Sequence, residues 1–191
     1  MKRVLIIAGP SAVGKTTVMS EILSKNPCFE LVRSATTRAM RGDSCDSEYI
    51  YCSRAEFESY IANGEMLEYI EYSGNYYGTP ASEIERIFKK GKVPFLILDI
   101  NGVISFKEMK DRFPSFSVYL TAPPSVLAER LYERAEKKGL TEEALSTYRS
   151  RVLANKELMN NFGKIAKYFD LVIENDSVGR TANEILNNFN K

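Results

Sequence analysis

The chain has 191 residues, 26 lysines and arginines against 25 aspartates and glutamates, and a formal net charge of +1, so no global field recruits nucleic acid or an anionic membrane. It has no histidine, which excludes Ser-His-Asp hydrolysis, Cys-His proteolysis and histidine-ligated zinc. The odd set Cys28, Cys45 and Cys52 lacks zinc-like pairing, argues against a closed disulfide framework and suits a reducing cytoplasm.

The length suits one well-buried domain with mobile appendages and is short for two independent cores. Along the chain, Val4 to Ala8 reads as a short buried strand. Lys2 and Arg3 precede it, but Gly9 interrupts the apolar run long before membrane-spanning length and no cleavage pattern follows. The expectation is a soluble, cytoplasmic protein with no membrane and no nucleic-acid partner.

Residues Gly9-Pro10-Ser11-Ala12-Val13-Gly14-Lys15-Thr16-Thr17 carry the spacing G-x-x-x-x-G-K-T, followed by the helix-prone Thr16 to Leu23. A strand, a glycine-rich loop and a helix start in that order form a phosphate-binding loop. Gly9 and Gly14 tolerate backbone angles closed to other residues and let amides approach phosphate oxygens. Lys15 adds a cation at the outer phosphates, Thr16 a hydroxyl for Mg2+, and the helix N-terminus a partial positive charge. A nucleoside triphosphate is therefore the expected ligand.

Next, Phe29 to Ser34 reads as a strand running into the polar segment 34–43. Tyr49, Tyr51, the stretch Met66 to Tyr72 and Tyr76 alternate with polar residues, as half-exposed antiparallel strands do. Helical spacing covers Arg54 to Ala62 and Ser82 to Lys90, the latter ended by Gly91. The apolar run Phe95 to Asp99, then Phe116 to Thr121 and Phe169 to Glu174, read as further strands. Helices are predicted over Ser125 to Lys137, Glu142 to Asn160 and Val178 to Asn188.

Alternating strands and helices predict an α/β fold, a parallel sheet with helices on both faces whose ligands gather at the carboxyl ends of the strands. Gly14, Ser34 and Asp99 fall at such ends, residues 35–80 form a strand-rich insertion over that edge, and the charged helical segment from Arg130 to about Arg151 forms a lid, interrupted at Lys137-Lys138-Gly139.

A second anion site is expected on the insertion. Arg38 and Arg41 lie three apart in a glycine-containing turn, with Tyr49 and Tyr77 available. Arginine forks pair bidentately with phosphate, and phenol hydroxyls complete an oxygen shell without adding charge. Glu68 and Asp99 are carboxylates beside apolar strand residues, where they need donors, and an N–H-rich base edge supplies them. Taken singly, each has a plainer reading: a solvated arginine turn, a charge on a strand face. Arg130 and Arg134 share one helix face, as residues reaching a triphosphate must, although Glu129 and Glu133 also fit them to a salt-bridged exposed helix.

The collinear stretches Gly9-Pro10-Ser11 through Lys15-Thr16, Ser34-Ala35-Thr36-Thr37-Arg38 with Arg41, Met66-Leu67-Glu68, Gly74-Asn75-Tyr76-Tyr77-Gly78-Thr79, Leu98-Asp99-Ile100-Asn101-Gly102, Ala122-Pro123-Pro124-Ser125 and Asn175-Asp176 closely resemble the guanylate kinase family. They cover almost the whole chain. The resemblance implies a nucleoside monophosphate kinase fold: a core (1–34, 81–125 and 165–191), a GMP-binding insertion (35–80) and a lid (about 126–155). It implies transfer from MgATP to GMP, and tolerance of dGMP, giving ADP and the diphosphate. The partners implied are small-molecule nucleotides, met by a monomer or weak homo-oligomer.

Carried over by motif, residues 9 to 17 and Asn175 belong to ATP. Arg38, Arg41, Tyr49 and Tyr77 belong to the GMP phosphate, and Ser34, Glu68 and Thr79 to guanine. Asp99 lies between the nucleotides, near guanine and the metal-bound water. Lys15, Arg38 and Asp99 are implied in catalysis with the lid arginines Arg130, Arg134 and one of Arg149 or Arg151. The last two sit about 200 degrees apart on a helix, so only one is expected to face the nucleotide.

Three features depart from the family pattern. Ile97 stands where an acidic residue is frequent, the loop from Gly42 to Glu48 is shorter by a residue and lacks its usual glycine, and the lid turn is replaced by Glu133 to Gly139. Two other functions fit part of the pattern: a kinase of the same fold acting on ribose 1,5-bisphosphate, and a non-catalytic guanylate-kinase-like binding module. The first has little use for Ser34, Glu68 and Thr79 together; the second has no need of Lys15, Thr16, Arg38 and Arg130.

Overall fold

In the computed structural model the described residues are 3–40, 42, 46, 48–109 and 111–191. The first strand, β1 (Val4–Ala8), is buried throughout. It lies at the centre of a five-stranded sheet with β2 (Phe29–Leu31), β7 (Val93–Ile97), β8 (Ser115–Thr121) and β9 (Leu171–Glu174), in the order β2-β7-β1-β8-β9. Every pairing is parallel. Successive side chains of a strand point to opposite faces, so a strand covered on both faces reads as a continuous apolar run. Leu5 and Ile7 enter one core with Val18 and Ile22 of α1 (Lys15–Lys25) and Ile185 of α8 (Val178–Phe189). Val4, Ile6 and Ala8 enter the other, with Ile84 and Ile87 of α3 (Ala81–Lys89) and Val103 and Phe106 of α4 (Ile100–Glu108).

The predicted strand from Phe29 to Ser34 is two strands in two sheets. β2 pairs with β7, and the Val32 N–H still reaches the Phe95 carbonyl at 3.0 Å. The chain then leaves the first sheet, and β3 (Ser34–Thr36) joins a second, four-stranded sheet of order β4-β3-β6-β5, with β4 (Tyr49–Tyr51), β5 (Met66–Tyr72) and β6 (Asn75–Pro80). The crossing is marked by Arg33, whose guanidinium makes two bonds, 3.0 and 2.9 Å, to the Glu83 carboxylate on α3. Glu83 also accepts from Arg86, and these partners hold its carboxyl down at about 2 against the cost of burial. The second sheet is mixed rather than purely antiparallel, because β3 and β4 pair in parallel. Its helix α2 (Arg54–Ala62) starts with a capping box between Ser53 and Glu56.

Beyond β8, α5 (Pro124–Glu136) and α6 (Glu142–Asn160) pack against each other, with the Tyr132 and Tyr148 rings edge to face at 5.8 Å. Thr141 caps α6 by accepting from the Ala144 N–H at 3.2 Å. A short α7 (Phe162–Ile165) and a 3-10 turn lead into β9. No helix among the described residues is long and apolar enough to cross a membrane.

Candidate active site

The phosphate loop joins β1 to α1 and is braced by three other parts of the chain. Gly9 has φ 147°, and a Cβ there would lie 2.5 Å from the Leu120 carbonyl oxygen on β8. Gly14 has φ 101°, and its Cβ would lie 2.5 Å from Asn175 Nδ2. Both glycines are therefore required twice, by conformation and by space. Asn175 sits one residue beyond β9, is buried, and donates from Nδ2 to the Val13 carbonyl at 2.7 Å. Its role here is to hold the loop as well as to face it.

Lys15 folds back over the loop and donates to the Gly9 and Pro10 carbonyls at 2.8 and 2.9 Å. Its ammonium is pulled down to about 8, first by burial and then by repulsion from Arg134 and Arg151. The same two arginines line a small polar depression of about 260 Å3 with Ser11, Ala12, Gly14, Lys15, Thr16 and Thr17. Thr16 and Thr17 are exposed in the first turn of α1. Arg130 points a guanidinium nitrogen at the Ala12 and Val13 carbonyls, 3.4 and 3.5 Å away. Of the two α6 arginines, Arg151 lines this depression, whereas Arg149 pairs with Glu142 at 3.4 Å; both are exposed. Arg149 is not brought to the loop.

One loop contact was not foreseen from the sequence. Asn155, on α6 and buried, accepts from the Ser11 N–H at 2.8 Å and donates to the Ser11 carbonyl at 3.1 Å. A lone asparagine in a polar helix carries no sequence signal of this; only its position one turn after Arg151 hints that it shares that face.

The second sheet places the other half of the predicted set. Glu68 on β5 lies opposite Thr79 on β6 beside a register shift at Met66 and Glu68, and the Thr79 hydroxyl donates to Glu68 Oε1 at 2.5 Å. Burial raises the Glu68 carboxyl, the Thr79 bond lowers it, and the Asp99 charge raises it again, for a net upward shift. A carboxylate in that position favours a ligand offering N–H donors, which would stabilise its charged form. The strand expected over Phe95 to Asp99 is Val93–Ile97, so Asp99 lies two residues past its end and caps α4 instead, accepting from the Gly102 N–H at 2.8 Å. Asp99 and Glu68 are thereby close enough to interact electrostatically.

Ser34 pairs in register with Tyr49, and Thr36 with Tyr77, which sets the Tyr49 and Tyr77 rings edge to face at 6.2 Å. Arg38 lies just past β3 with its guanidinium 5.2 Å from the Tyr49 ring centroid and 5.8 Å from that of Tyr51. It bonds the Tyr51 hydroxyl at 3.1 Å and Asp46 at 3.4 Å, while its Nη1 is buried with no partner among the described residues. A half-satisfied buried guanidinium is a receptor for an anion. Tyr51 and Asp46 are neighbours of Arg38 that the sequence pattern did not single out; they also bond each other. Arg41 lies outside the described residues.

Among the described residues no three His, Cys, Asp or Glu side chains cluster as a metal site. Comparison with known proteins agrees with this two-part construction. The family model for guanylate kinase matches residues 1–191. The chain is 38% identical over 189 residues to a guanylate kinase of Prochlorococcus marinus subsp. pastoris, covering 97% of this chain and 96% of that one. It is 35% identical over 184 residues to a guanylate kinase of Bacillus subtilis, covering 95% and 84%. The crystal structure of guanylate kinase from Anaplasma phagocytophilum superposes with a TM-score of 0.68 at 25% identity, covering 99% of this chain and 85% of that one. The chain belongs to the guanylate kinase family.

Proposed function

We infer that the chain transfers the γ-phosphoryl group of ATP to GMP, giving ADP and GDP. The observation that carries this reading is the pairing of a complete phosphate loop with the Glu68–Thr79 pair on a separate sheet. The loop accounts for a triphosphate; the pair accounts for a base that offers two adjacent donors. The two Glu68 oxygens suit the N1–H and 2-amino group of guanine, which adenine lacks. A hydroxyl at Ser34 suits O6. A site whose buried polar groups would be left unpaired by the wrong base rejects it strongly. Ribose 1,5-bisphosphate lacks the adjacent N–H donors that suit that pair, and a non-catalytic module has no use for the cationic cluster around Lys15.

In this reading residues 9 to 17 with Asn175 hold ATP, and Arg38, Tyr49, Tyr77 and Arg41 hold the GMP phosphate. Lys15, Arg130, Arg134 and Arg151 neutralise charge on the moving phosphoryl group, while Arg149 is left to its pairing with Glu142. Little covalent help is needed, because alignment and preorganised positive charge supply most of the rate. The lowered ammonium of Lys15 fits this: burial, and then repulsion from Arg134 and Arg151, disfavour its charge, and phosphate charge beside it would favour it. Mg2+ fits the same donor set. The ion would need little from the protein beyond the Thr16 hydroxyl, which would hold it. When bound, the ion neutralises phosphate charge.

The same proposal divides the chain into a core, a GMP-binding insertion over the second sheet and a lid from α5 and α6. The same reading takes the protein as a monomer or weak homo-oligomer. A cytoplasmic setting suits the free thiols of Cys28 and Cys52. The test is ADP release from MgATP with GMP, dGMP, AMP, UMP, CMP and ribose 1,5-bisphosphate as acceptors. Turnover of GMP, with dGMP second and the others near background, is expected; turnover of ribose bisphosphate without GMP overturns the reading.

A further inference from the structure

We propose that Asn155 is a positioning residue for phosphoryl transfer, fixing α6 to the phosphate loop so that Arg151 is held over it. This rests on the role given to Arg151 above. The carboxamide of Asn155 imitates a peptide group: Oδ1 takes the Ser11 N–H at 2.8 Å and Nδ2 gives to the Ser11 carbonyl at 3.1 Å. Such a closed pair defines both distance and orientation, which a single bond does not. It joins residues 144 apart in sequence, and it is buried, so water competes poorly for either bond.

Arg151 and Asn155 are four apart on α6 and therefore share a face. Arg151 enters the depression above Gly14, Lys15 and Thr16, while Asn155 grips the opposite limb of the loop at Ser11. The clasp borders a largely apolar cleft of about 590 Å3 between α5 and α6, lined by Leu127, Ala128, Val152, Asn155, Lys156 and Met159. Tyr148 and Met159 pack α6 against α5 and the core on either side of the cleft, and the polar clasp adds a bond of defined distance and orientation to the phosphate loop itself. A rigid helix carries the setting over one turn to the guanidinium. Neither Ser11 nor Asn155 need touch a reacting atom for the effect.

The test is a double-mutant cycle on kcat at saturating ATP and GMP, with KM for GMP measured at saturating ATP, for Arg151→Ala, Asn155→Ala and the double variant. Arg151→Ala is expected to lower kcat about a hundredfold. Asn155→Ala is expected to lower it about tenfold, because misplacing a group by about an ångström is costly, and to leave KM for GMP within about twofold. In the Arg151→Ala background the loss from Asn155→Ala should shrink below about threefold, since the group it positions is gone. A tenfold loss that persists in that background overturns the proposal, as does an Asn155→Ala enzyme with unchanged kcat. An unchanged kcat in Arg151→Ala instead overturns the role of Arg151 under the proposed function. If Asn155→Ala does not fold, Asn155→Asp keeps the acceptor for the Ser11 N–H, loses the donor to its carbonyl, and runs the same cycle with the same two outcomes.

Discussion

The phosphate loop and the second sheet hold charge with different materials. The loop is one contiguous segment whose backbone does the work. It is crowded by Leu120, tied by Asn175 and Asn155, and approached by Arg130. The second sheet gathers single side chains, Ser34, Arg38, Tyr49, Glu68, Tyr77 and Thr79, from all four of its strands and the turn after β3. A braced backbone suits any phosphate chain, whereas dispersed side chains suit one particular outline. The proposed function therefore assigns generality to the first region and discrimination to the second.

The most drastic way to break the contrast is Lys15→Met, which removes the loop's own cation. A loss of at least about a thousandfold in kcat is expected with GMP and dGMP alike, because the charge serves the transferred group and not the acceptor nucleoside. A loss confined to GMP would erase the distinction between the regions. Glu68→Ala addresses the other side. It should lower kcat/KM for GMP about a hundredfold or more while the Kd for ATP, measured by titration calorimetry, stays within about twofold. Equal losses for both nucleotides would show that the base-reading role is misplaced.

Smaller effects sharpen the picture. Arg149→Ala, which loses only an exposed pair with Glu142, should change kcat by less than about twofold. A large loss there would reverse the choice between the two α6 arginines. The last expectation concerns pH. Lys15 in the free enzyme sits near 8, below its ordinary value of 10.5. It is charged below that point and loses its proton above it, so kcat/KM for ATP should fall as pH rises through about 8. Arg151→Ala removes one of the repelling charges and should move that descent to higher pH. A pH profile that keeps its place in Arg151→Ala would separate the descent from Lys15. The sign for stability is opposite: between about 8 and 10.5 the unfolded chain binds more protons at this group, so its contribution to stability rises with pH.

What could be read from the sequence follows from the same difference between regions. Gly9, Gly14 and Lys15 declare themselves because a short spacing rule encodes their geometry. The buried strands Val4–Ala8 and Val93–Ile97 are legible because both their faces are covered. Glu68 and Thr79 are eleven residues apart and meet only through the pairing of β5 with β6. Without the family resemblance nothing local marks them as partners. The split between β2 and β3 was hidden because both pieces are extended; what separates them is an ion pair to a residue fifty positions away. Asn155 was hidden for the same reason, since its partner lies 144 positions off.

The Arg33–Glu83 fork ties the point where the chain departs for the second sheet to the helix on which it comes back. Just beyond, Ala35 pairs with Gly78, so the outgoing and incoming strands run side by side. The excursion is therefore a cassette plugged into a two-wire socket. On the proposed reading, every side chain that contacts the acceptor except Asp99 lies between those two wires, so the set could be exchanged without altering a single pairing of the five-stranded sheet or touching the phosphate loop.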